Sequence, residues 1–326
     1  MPAPSAEFPP SIGPYRVSGL LGRRHPATAY KAVNAADAAG RTVVVEVMSR
    51  AVSSDPEAVA RFHQAVQRLG EISHPNVLAF LGSGEHDGQL YVVHEPWDGP
   101  ALGDLLRQRQ PSVPEAIGVF KGILKGLGQA HQRGIVHKDL NPTTVLVSPD
   151  LQQVKLTGFG LGRADALAGT TGTLSTGEVG LANLYYMAPE QAEGKTADAR
   201  SDLYSAGTLF HQLLTGRAPG AKLGLPSQLN PQLPPEVDPL VLKCLARRPE
   251  DRYSNVPHLL GDLARLEETL NLRLVNQLQG ISRSTSRLLG QGGQGEGETK
   301  SRGMLWVGVG VGVIVLAVVV YLLLHH

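Results

Sequence analysis

The sequence predicts an α+β fold with two lobes, a small β-rich lobe followed by a larger helical lobe, and one C-terminal transmembrane helix. Three observations predict it. Short runs rich in β-branched residues fill residues 15–95, helical apolar periodicity dominates from Leu102 onward, and residues 304–324 form an apolar stretch without a charge.

The bulk composition excludes several classes of protein. The chain has 326 residues, of which 42% are hydrophobic, and its 30 basic and 29 acidic side chains give a net charge of +1. This balance argues against a nucleic-acid-binding protein, which needs a basic surface. The single cysteine, Cys244, excludes an intramolecular disulfide. No metal site is expected, because the histidines are scattered without the spacing of metal ligands.

The small lobe is predicted from alternating and β-rich runs. Residues 1–14 are rich in proline, alanine and serine and predict a disordered N-terminal arm. Strands are predicted in the runs "YRVSGLLG", "ATAYKAVNA" and "RTVVVEVMS", and an amphipathic helix over residues 56–72. The stretch "VLAFLGSGEHDGQLYVVHE" predicts two strands joined by a turn that contains glycine.

The large lobe is predicted to be mainly helical. Helical periodicity covers "GDLLRQRQ", "PEAIGVFKGILKGLGQAHQRG" and "SDLYSAGTLFHQLLTG". A long helix over residues 258–278 carries leucines at spacings of three and four, so that one face is apolar. Its first half is expected to pack on the domain, whereas its second half fits either self-packing or pairing with a partner. These leucines are Leu259, Leu263, Leu266, Leu270, Leu274 and Leu278.

The C-terminal part predicts a membrane tether. Residues 269–302 predict a helix extension and a flexible linker, residues 303–324 a transmembrane helix, and residues 325–326 a short tail. Basic residues precede the helix, so the positive-inside rule places the N-terminal domain in the cytoplasm. We therefore expect a single-pass, tail-anchored protein of the cytoplasmic membrane. Gly308 and Gly312 form a small-xxx-small pair that allows a homodimer, although glycine is common in such helices.

The order of motifs resembles that of the bacterial serine/threonine protein kinase family over residues 15–268. The matching segments, in chain order, are "LGRRHPATAYKA", "VVVEVM", "SHPNVL", "LYVVHEPWDG", "HKDLNPTTVL", "VKLTGFGLGR", "YYMAPEQ", "SDLYSAGTLFHQLLTG" and "RRPEDRYS". The resemblance implies a two-lobed protein-kinase-like fold, with an N-lobe at about residues 15–95 and a C-lobe at about residues 98–268.

The resemblance also implies a phosphoryl-transfer chemistry that depends on charged groups, and this sequence lacks most of them. A glutamate stands at the position of the nucleotide-contacting lysine, and an alanine at that of its helix partner. The catalytic-loop lysine and asparagine and the metal-binding aspartate are also replaced. The changed positions are Glu46, Ala65, Asn141, Thr144 and Gly158.

Other positions of the family pattern are retained. The resemblance assigns the following residues to the apolar stack between the lobes, its anchor and a buried ion pair of the helical lobe: His137, Phe159, Leu69, Phe80, Asp202, Glu190 and Arg252. It assigns nucleotide contacts to Gly22, Glu95, Trp97 and Leu146. However, only one of the glycines remains in the loop that holds the nucleotide phosphates in the family. Val44 stands where the family has a smaller residue above the adenine ring, which narrows the space for that ring. No cofactor is expected, and ATP binding without a metal stays open.

Retained framework residues and lost charged residues together indicate a pseudokinase. We expect a protein-binding or regulatory module whose partners belong to a signalling pathway or to the cell envelope. Asp139 is either a surviving catalytic base or a carboxylate that only binds its own loop. Two alternatives therefore remain: a degenerate serine/threonine kinase with weak activity through Asp139, and a metal-independent nucleotide sensor.

Overall fold

The computed structural model describes residues 8–24, 27–159, 184–220 and 223–272. Residues up to Glu268 belong to one compact unit, and a second unit begins at Thr269. No helix within these described ranges is both long enough and apolar enough to cross a membrane. The predicted linker beyond residue 272, the transmembrane helix with Gly308 and Gly312, and the tail lie outside the described residues.

The small lobe is built on a six-stranded antiparallel sheet with the strand order β1-β2-β3-β4-β6-β5. Asp87 and Gly88 join the last two strands in a tight turn, both with a left-handed φ, of 50° and 70°. The strands are β1 (Ser11–Ile12), β2 (Tyr15–Arg24), β3 (Ala27–Asn34), β4 (Thr42–Met48), β5 (Phe80–His86) and β6 (Gln89–His94).

The central strand β4 is buried along most of its length. Its valines, Val43, Val44 and Val45, are at most 9% exposed, as expected for a strand covered on both faces. The antiparallel register places Glu46 opposite Ala29 on β3 and Val92 on β6. The sequence therefore puts one carboxylate into an otherwise apolar strand.

The prediction of a disordered arm over residues 1–14 is wrong for its last part. Ser11 and Ile12 form β1 and pair with Arg16 and Tyr15. Ile12 is 2% exposed and belongs to the core cluster of the sheet. Burial of this side chain, which the proline-rich composition conceals, explains the order.

Two helices follow β4, α1 (Arg50–Ser53) and α2 (Pro56–Leu69). The Asp55 side chain caps α2 by accepting a hydrogen bond from the Glu57 amide at 3.0 Å. Its buried face carries Phe62, Val66 and Leu69. The helix ends at Leu69, before the predicted end at residue 72.

The large lobe is mainly helical. Residues 95–101, called the hinge here, connect β6 of the small lobe to the first helix of the large lobe, and a two-stranded sheet lies beside them. Ser112 and Glu115 form a capping box at the start of its long helix α4. The elements are α3 (Leu102–Gln108), α4 (Val113–His131), β7 (Val145–Val147), β8 (Val154–Leu156), α5 (Pro189–Ala192), α6 (Ala199–Thr215), α7 (Pro226–Leu229), α8 (Val237–Cys244), a 3-10 turn (Pro249–Asp251) and a helix α9 over residues 256–272.

Helices α4 and α6 form the centre of the large lobe. The Phe120 and Phe210 rings stack with their centroids 4.0 Å apart. Helix α8 approaches α6 closely because Gly207 has no side chain, and a Cβ at that position would lie 2.3 Å from the Cys244 Cβ. Cys244 is fully buried there, and burial raises the pKa of its thiol to about 12. The lone cysteine is therefore a core residue.

Helix α9 packs on the domain through the first half of its predicted leucine face. Leu259, Leu263 and Leu266 are at most 5% exposed. Lys121 on α4 forms a salt bridge of 2.8 Å with Glu267. The prediction that the first half packs on the domain is confirmed, and Leu274 and Leu278 lie outside the described residues.

A buried ion pair joins α5 to the segment between α8 and α9. Both Glu190 oxygens accept hydrogen bonds of 2.7 Å from the Arg252 guanidinium. Burial alone would raise the pKa of Glu190, but hydrogen bonds from Arg252 and Ser201 bring it below its ordinary value. The remaining Arg252 donors reach the carbonyls of Ala246, Arg247 and Arg200. All donors of a desolvated cation are thus satisfied.

Replacing Glu190 by glutamine is expected to lower the free energy of unfolding by about 3–5 kcal/mol, because it leaves the buried Arg252 cation uncompensated. Urea denaturation followed by circular dichroism measures the change. Glu193→Gln on the same turn is the matched control: among the described residues Glu193 pairs with the surface residues Lys195 and Arg247, so its replacement should leave the free energy of unfolding nearly unchanged. Equal effects of the two variants would refute a special role for the buried pair.

Candidate functional site

Residues 135–147, "IVHKDLNPTTVLV", follow α4 and end with the strand β7; they are called the HKD loop here. The Asp202 carboxylate, 1% exposed, holds this loop from helix α6. It accepts hydrogen bonds of 2.8 Å from the backbone amides of His137 and Lys138, and His131 Nε2 lies 2.7 Å from it. Lys138 adopts a left-handed φ of 67°, which these bonds stabilise. The structure therefore places Asp202 as the anchor of the loop.

His137 lies in the core behind the loop. Its side chain is fully buried, and its ring is 4.5 Å from that of Phe159 between centroids. Complete burial lowers the pKa of His137, although the nearby Asp202 carboxylate acts in the opposite direction. The imidazole is consequently neutral at pH 7, and its Nδ1 accepts a hydrogen bond from the Asp139 amide at 3.4 Å.

The other two residues of the predicted stack lie in the small lobe. Leu69 is 5% exposed at the end of α2. Phe80 packs on the core cluster that contains Phe62 and Val66, and its ring meets the His94 ring edge-on at 6.3 Å. Two residues of the predicted stack, His137 and Phe159, thus contact each other, and the other two, Leu69 and Phe80, lie in the small lobe.

Asp139 and the residues after it form a network within the loop. The Asn141 amide nitrogen donates to Asp139 Oδ1 at 3.0 Å and to the Asp139 carbonyl at 2.9 Å. The Thr144 hydroxyl donates to that same carbonyl at 3.0 Å. Thr143 uses its amide and hydroxyl to bond the Asn141 side-chain oxygen. Asn141 and Thr144, at the positions of the family's lysine and asparagine, therefore form hydrogen bonds with the backbone of the loop and with Asp139.

Gly158 follows β8 at the position of the family's metal-binding aspartate. Its φ is +80°, a conformation that glycine adopts without strain. A Cβ at this position would lie 3.3 Å from Thr144 Cγ2. Gly158 and Thr144 are thus neighbours, and neither one supplies a carboxylate or amide oxygen for Mg²⁺. Residues 160–183 lie outside the described residues.

Glu46 lies inside the small lobe and faces a histidine. His94 Nε2 is 3.9 Å from the Glu46 carboxylate, and the two side chains are 4% and 6% exposed. Ala65, on α2, carries only a methyl group and cannot supply the charge that would complete an ion pair with a lysine. Sequence reasoning identified Glu46 but missed His94, although a histidine directly after the apolar run "LYVV" was a visible signal.

An ion pair joins the hinge to β8, and the sequence did not predict it. Lys155 on β8 donates to Glu95 at 2.6 Å, and the Ala79 amide donates to the same oxygen at 3.1 Å. Partial burial would raise the pKa of Glu95, but these hydrogen bonds lower it below its ordinary value. The Glu95 side chain is therefore engaged with the large lobe. Lys155 alternates with buried valine and leucine on β8, which was the available signal.

The remaining predicted nucleotide contacts lie on both sides of the hinge. Trp97 packs on the cluster of Leu78, Ala101 and Leu146, and Leu146 is 1% exposed. The Lys155 ammonium is 5.8 Å from the Trp97 ring centroid. Gly22 lies at a bulge between β2 and β3 with a φ of +151°. Two parts of the predicted nucleotide site are thus present: an apolar surface at Leu146 and one glycine, Gly22, of the predicted phosphate-binding loop.

A β-rich lobe, a hinge and a helical lobe with an Asp-anchored loop define the class of two-lobed protein kinases. A family model described as protein kinase domain matches residues 15–262. The chain belongs to the protein kinase family.

Curated relatives support this assignment. The chain is 34% identical over 270 residues to a probable serine/threonine-protein kinase of Streptomyces coelicolor, covering 77% of this chain and 39% of the relative. It is also 34% identical over 247 residues to the serine/threonine-protein kinase PknB of Mycolicibacterium smegmatis, covering 70% and 39%. The chain thus spans about two fifths of the length of these relatives.

Solved structures share the fold. The kinase domain of Mycobacterium tuberculosis PknI superimposes with a TM-score of 0.66 at 23% identity. The match covers 78% of this chain and 97% of the PknI chain. The predicted two-lobed architecture is confirmed by this likeness.

Burial of neutral His137 predicts a stability that falls on acidification. Its native pKa lies below the unfolded value of 6.5, so the unfolded chain binds the proton first, and stability is lost as the pH falls below about 6.5. His74 and His211, whose pKa values burial also lowers, act in the same direction. We expect His137→Phe to reduce the pH dependence of the unfolding free energy by up to about 1.4 kcal/mol per pH unit.

Urea denaturation at successive pH values measures this slope. Above the histidine range, where neither state binds this proton, the curves of the variant and the native sequence should run parallel, which is the internal control. A variant whose slope between about pH 7 and pH 5 equals that of the native sequence would disprove that buried His137 contributes to the acid sensitivity.

Proposed function

We propose that this protein is a membrane-anchored, cytoplasmic pseudokinase that binds or regulates other proteins of a signalling pathway or of the cell envelope. It does not catalyse ordinary Mg-ATP phosphoryl transfer. Its kinase-family fold presents a surface to partners, and its C-terminal helix keeps that surface at the membrane.

The observation that carries this proposal is the closed network of the HKD loop. The hydroxyl of Thr144 is bound to backbone carbonyls, and Asn141 binds the Asp139 carboxylate at 3.0 Å. A loop that transfers phosphoryl groups needs these positions for the metal ion and the nucleotide. Here they stabilise the conformation of the loop.

The charge at position 46 also opposes the binding of nucleotide phosphates. Where the family's lysine attracts the phosphates, the Glu46 carboxylate repels them, by about 4 kcal/mol for unit charges about 4 Å apart at an effective dielectric constant near 20. His94 Nε2 lies 3.9 Å from this carboxylate inside the lobe. Glu46 is thereby supported as a structural element of the small lobe.

A weak enzyme is the second candidate, and the anchoring of the loop favours it. Asp202 fixes the backbone at His137 and Lys138, and the adjacent Asp139 is only half-buried. A carboxylate held in this way can accept a proton from a substrate hydroxyl. Metal-independent nucleotide sensing is the third candidate, supported by the apolar surface at Leu146 and by the hinge at Trp97.

Thermal-shift titration with ATP, with and without Mg²⁺ or Mn²⁺, separates these candidates. We expect no metal-dependent stabilisation, since Gly158 and Thr144 offer no metal carboxylate. The combined variant Glu46→Lys, Thr144→Asn and Gly158→Asp restores the charged groups and is the positive control for metal-dependent binding. Stabilisation by ATP alone would support the sensor.

Transfer of labelled phosphate tests the enzyme directly. We expect no transfer to the chain itself or to a generic protein substrate. Metal-dependent binding, together with transfer that Asp139→Asn abolishes, would refute the pseudokinase proposal and establish the second candidate.

Capture of partners from membranes that contain the full-length chain tests the binding role. Asp139→Asn should capture the same proteins as the native sequence, because the proposed function does not use a catalytic base. A captured set that depends on Asp139 and on ATP would instead indicate an enzyme and its substrates.

A further inference from the structure

A polar pocket of about 370 Å³ opens on the large lobe between α8, the residues after the 3-10 turn and the first turns of α9. It is separate in sequence from the HKD loop and the hinge. Its polar lining residues include Lys243, Tyr253, Ser254, His258, Asp262 and Arg265.

The acceptors of this pocket are occupied within the protein. Tyr253 donates its hydroxyl hydrogen to Asp262 Oδ2 at 2.8 Å, and Arg265 donates to Asp262 Oδ1 at 2.7 Å. The Arg252 guanidinium, which also lines the pocket, is neutralised by Glu190 at 2.7 Å. A ligand therefore finds neither a free carboxylate nor the charge of Arg252.

The donors, in contrast, remain available. The Lys243 ammonium lies 4.2 Å from the Tyr253 ring centroid, and the salt bridges of the described residues do not include this lysine. Ser254 Oγ lies 2.8 Å from His258 Nδ1. In the tautomer in which Ser254 donates to Nδ1, the ring proton of His258 lies on Nε2, which is then a further donor. In that tautomer the pocket offers the Lys243 ammonium and one neutral donor, His258 Nε2, to an anion.

We propose that this pocket binds a carboxylate side chain of an acidic segment in a protein partner. The proposal rests on the proposed function, for which it supplies the docking surface. A carboxylate matches the donors of Lys243 and His258, while the ring of Tyr253 forms part of the apolar wall.

The size of the pocket favours a peptide over an inorganic ion. A volume of about 370 Å³ lies within the range of roughly 300–1,000 Å³ of sites for organic ligands. It exceeds by about tenfold the roughly 30 Å³ that one water molecule occupies in the liquid. An acidic side chain and part of its backbone fill this space, whereas a small ion leaves most of it to water.

Calorimetric titration of the full-length chain in detergent micelles tests the proposal. The probes are the capped peptides Glu-Leu-Glu-Leu and Gln-Leu-Gln-Leu, and we expect only the acidic one to bind, more weakly at high salt. Lys243→Glu should weaken this binding about tenfold or more. Lys125→Glu, an equal change of charge at an exposed position of α4, is the matched control and should leave it unchanged.

A second variant is expected to increase, and not to decrease, the affinity of the pocket for the acidic peptide. Asp262→Asn removes the only carboxylate among the lining residues and should tighten binding of the acidic peptide by about threefold to tenfold. The single amide oxygen of asparagine can still accept from Tyr253, whereas the hydrogen bond from Arg265 to the other carboxylate oxygen is lost. A purely structural role of these residues would not increase affinity.

The proposal is overturned if Lys243→Glu binds the peptide as the native sequence does, or if Lys125→Glu weakens binding equally. It is also overturned if inorganic phosphate or anionic lipid vesicles compete as strongly as the acidic peptide. In each case, partner capture that persists in Lys243→Glu leaves the proposed function standing with its docking surface elsewhere. Phosphate transfer that depends on Asp139 would refute the proposed function without deciding the pocket.

Discussion

The Asp202 carboxylate is the constraint on which the arrangement of the HKD loop depends. It lies at 1% exposure in helix α6 and accepts from two consecutive backbone amides and from His131. Hydrogen bonds to a buried charge are stronger than those between neutral groups. If the charged partner is removed, the polar groups bound to it are left buried without a hydrogen bond. The left-handed Lys138 and the ring contact of His137 with Phe159 both follow from this fixed backbone.

The charge-handling positions have changed as groups of neighbours. Asn141 and Thr144 satisfy each other and Asp139, and Thr144 also faces Gly158. A single substitution in such a loop would leave an unsatisfied polar group, which is unfavourable in a buried site. In this loop Asn141 and Thr144 bind each other and Asp139, so the proposed replacement of charged groups is compatible with a loop whose hydrogen bonds are satisfied.

The sequence predicted the architecture well, because the β-branched run of β4 and the helical periodicity of α4 and α6 are strong local signals. The motif positions also predicted that Glu46 and Gly158 replace charged residues of the family, and this assignment stays a prediction. What could not be predicted were the contacts between distant segments, such as Lys155 with Glu95 and His94 with Glu46. Spacing along a chain gives no distance across a sheet or hinge. Order at Ile12 was also concealed, since it depends on burial against β2 rather than on composition.

The salt bridge between Lys155 and Glu95 has a consequence for how a partner would meet this protein. It joins the hinge to β8 at 2.6 Å, and backbone hydrogen bonds of Leu156 to Asn76 and Leu78 reinforce the same junction. The salt bridge and these backbone hydrogen bonds join the two lobes behind the hinge. Under the proposed function, a partner would therefore meet a preformed surface. Association with such a surface loses little conformational entropy, and its affinity is determined by complementarity rather than by induced closure.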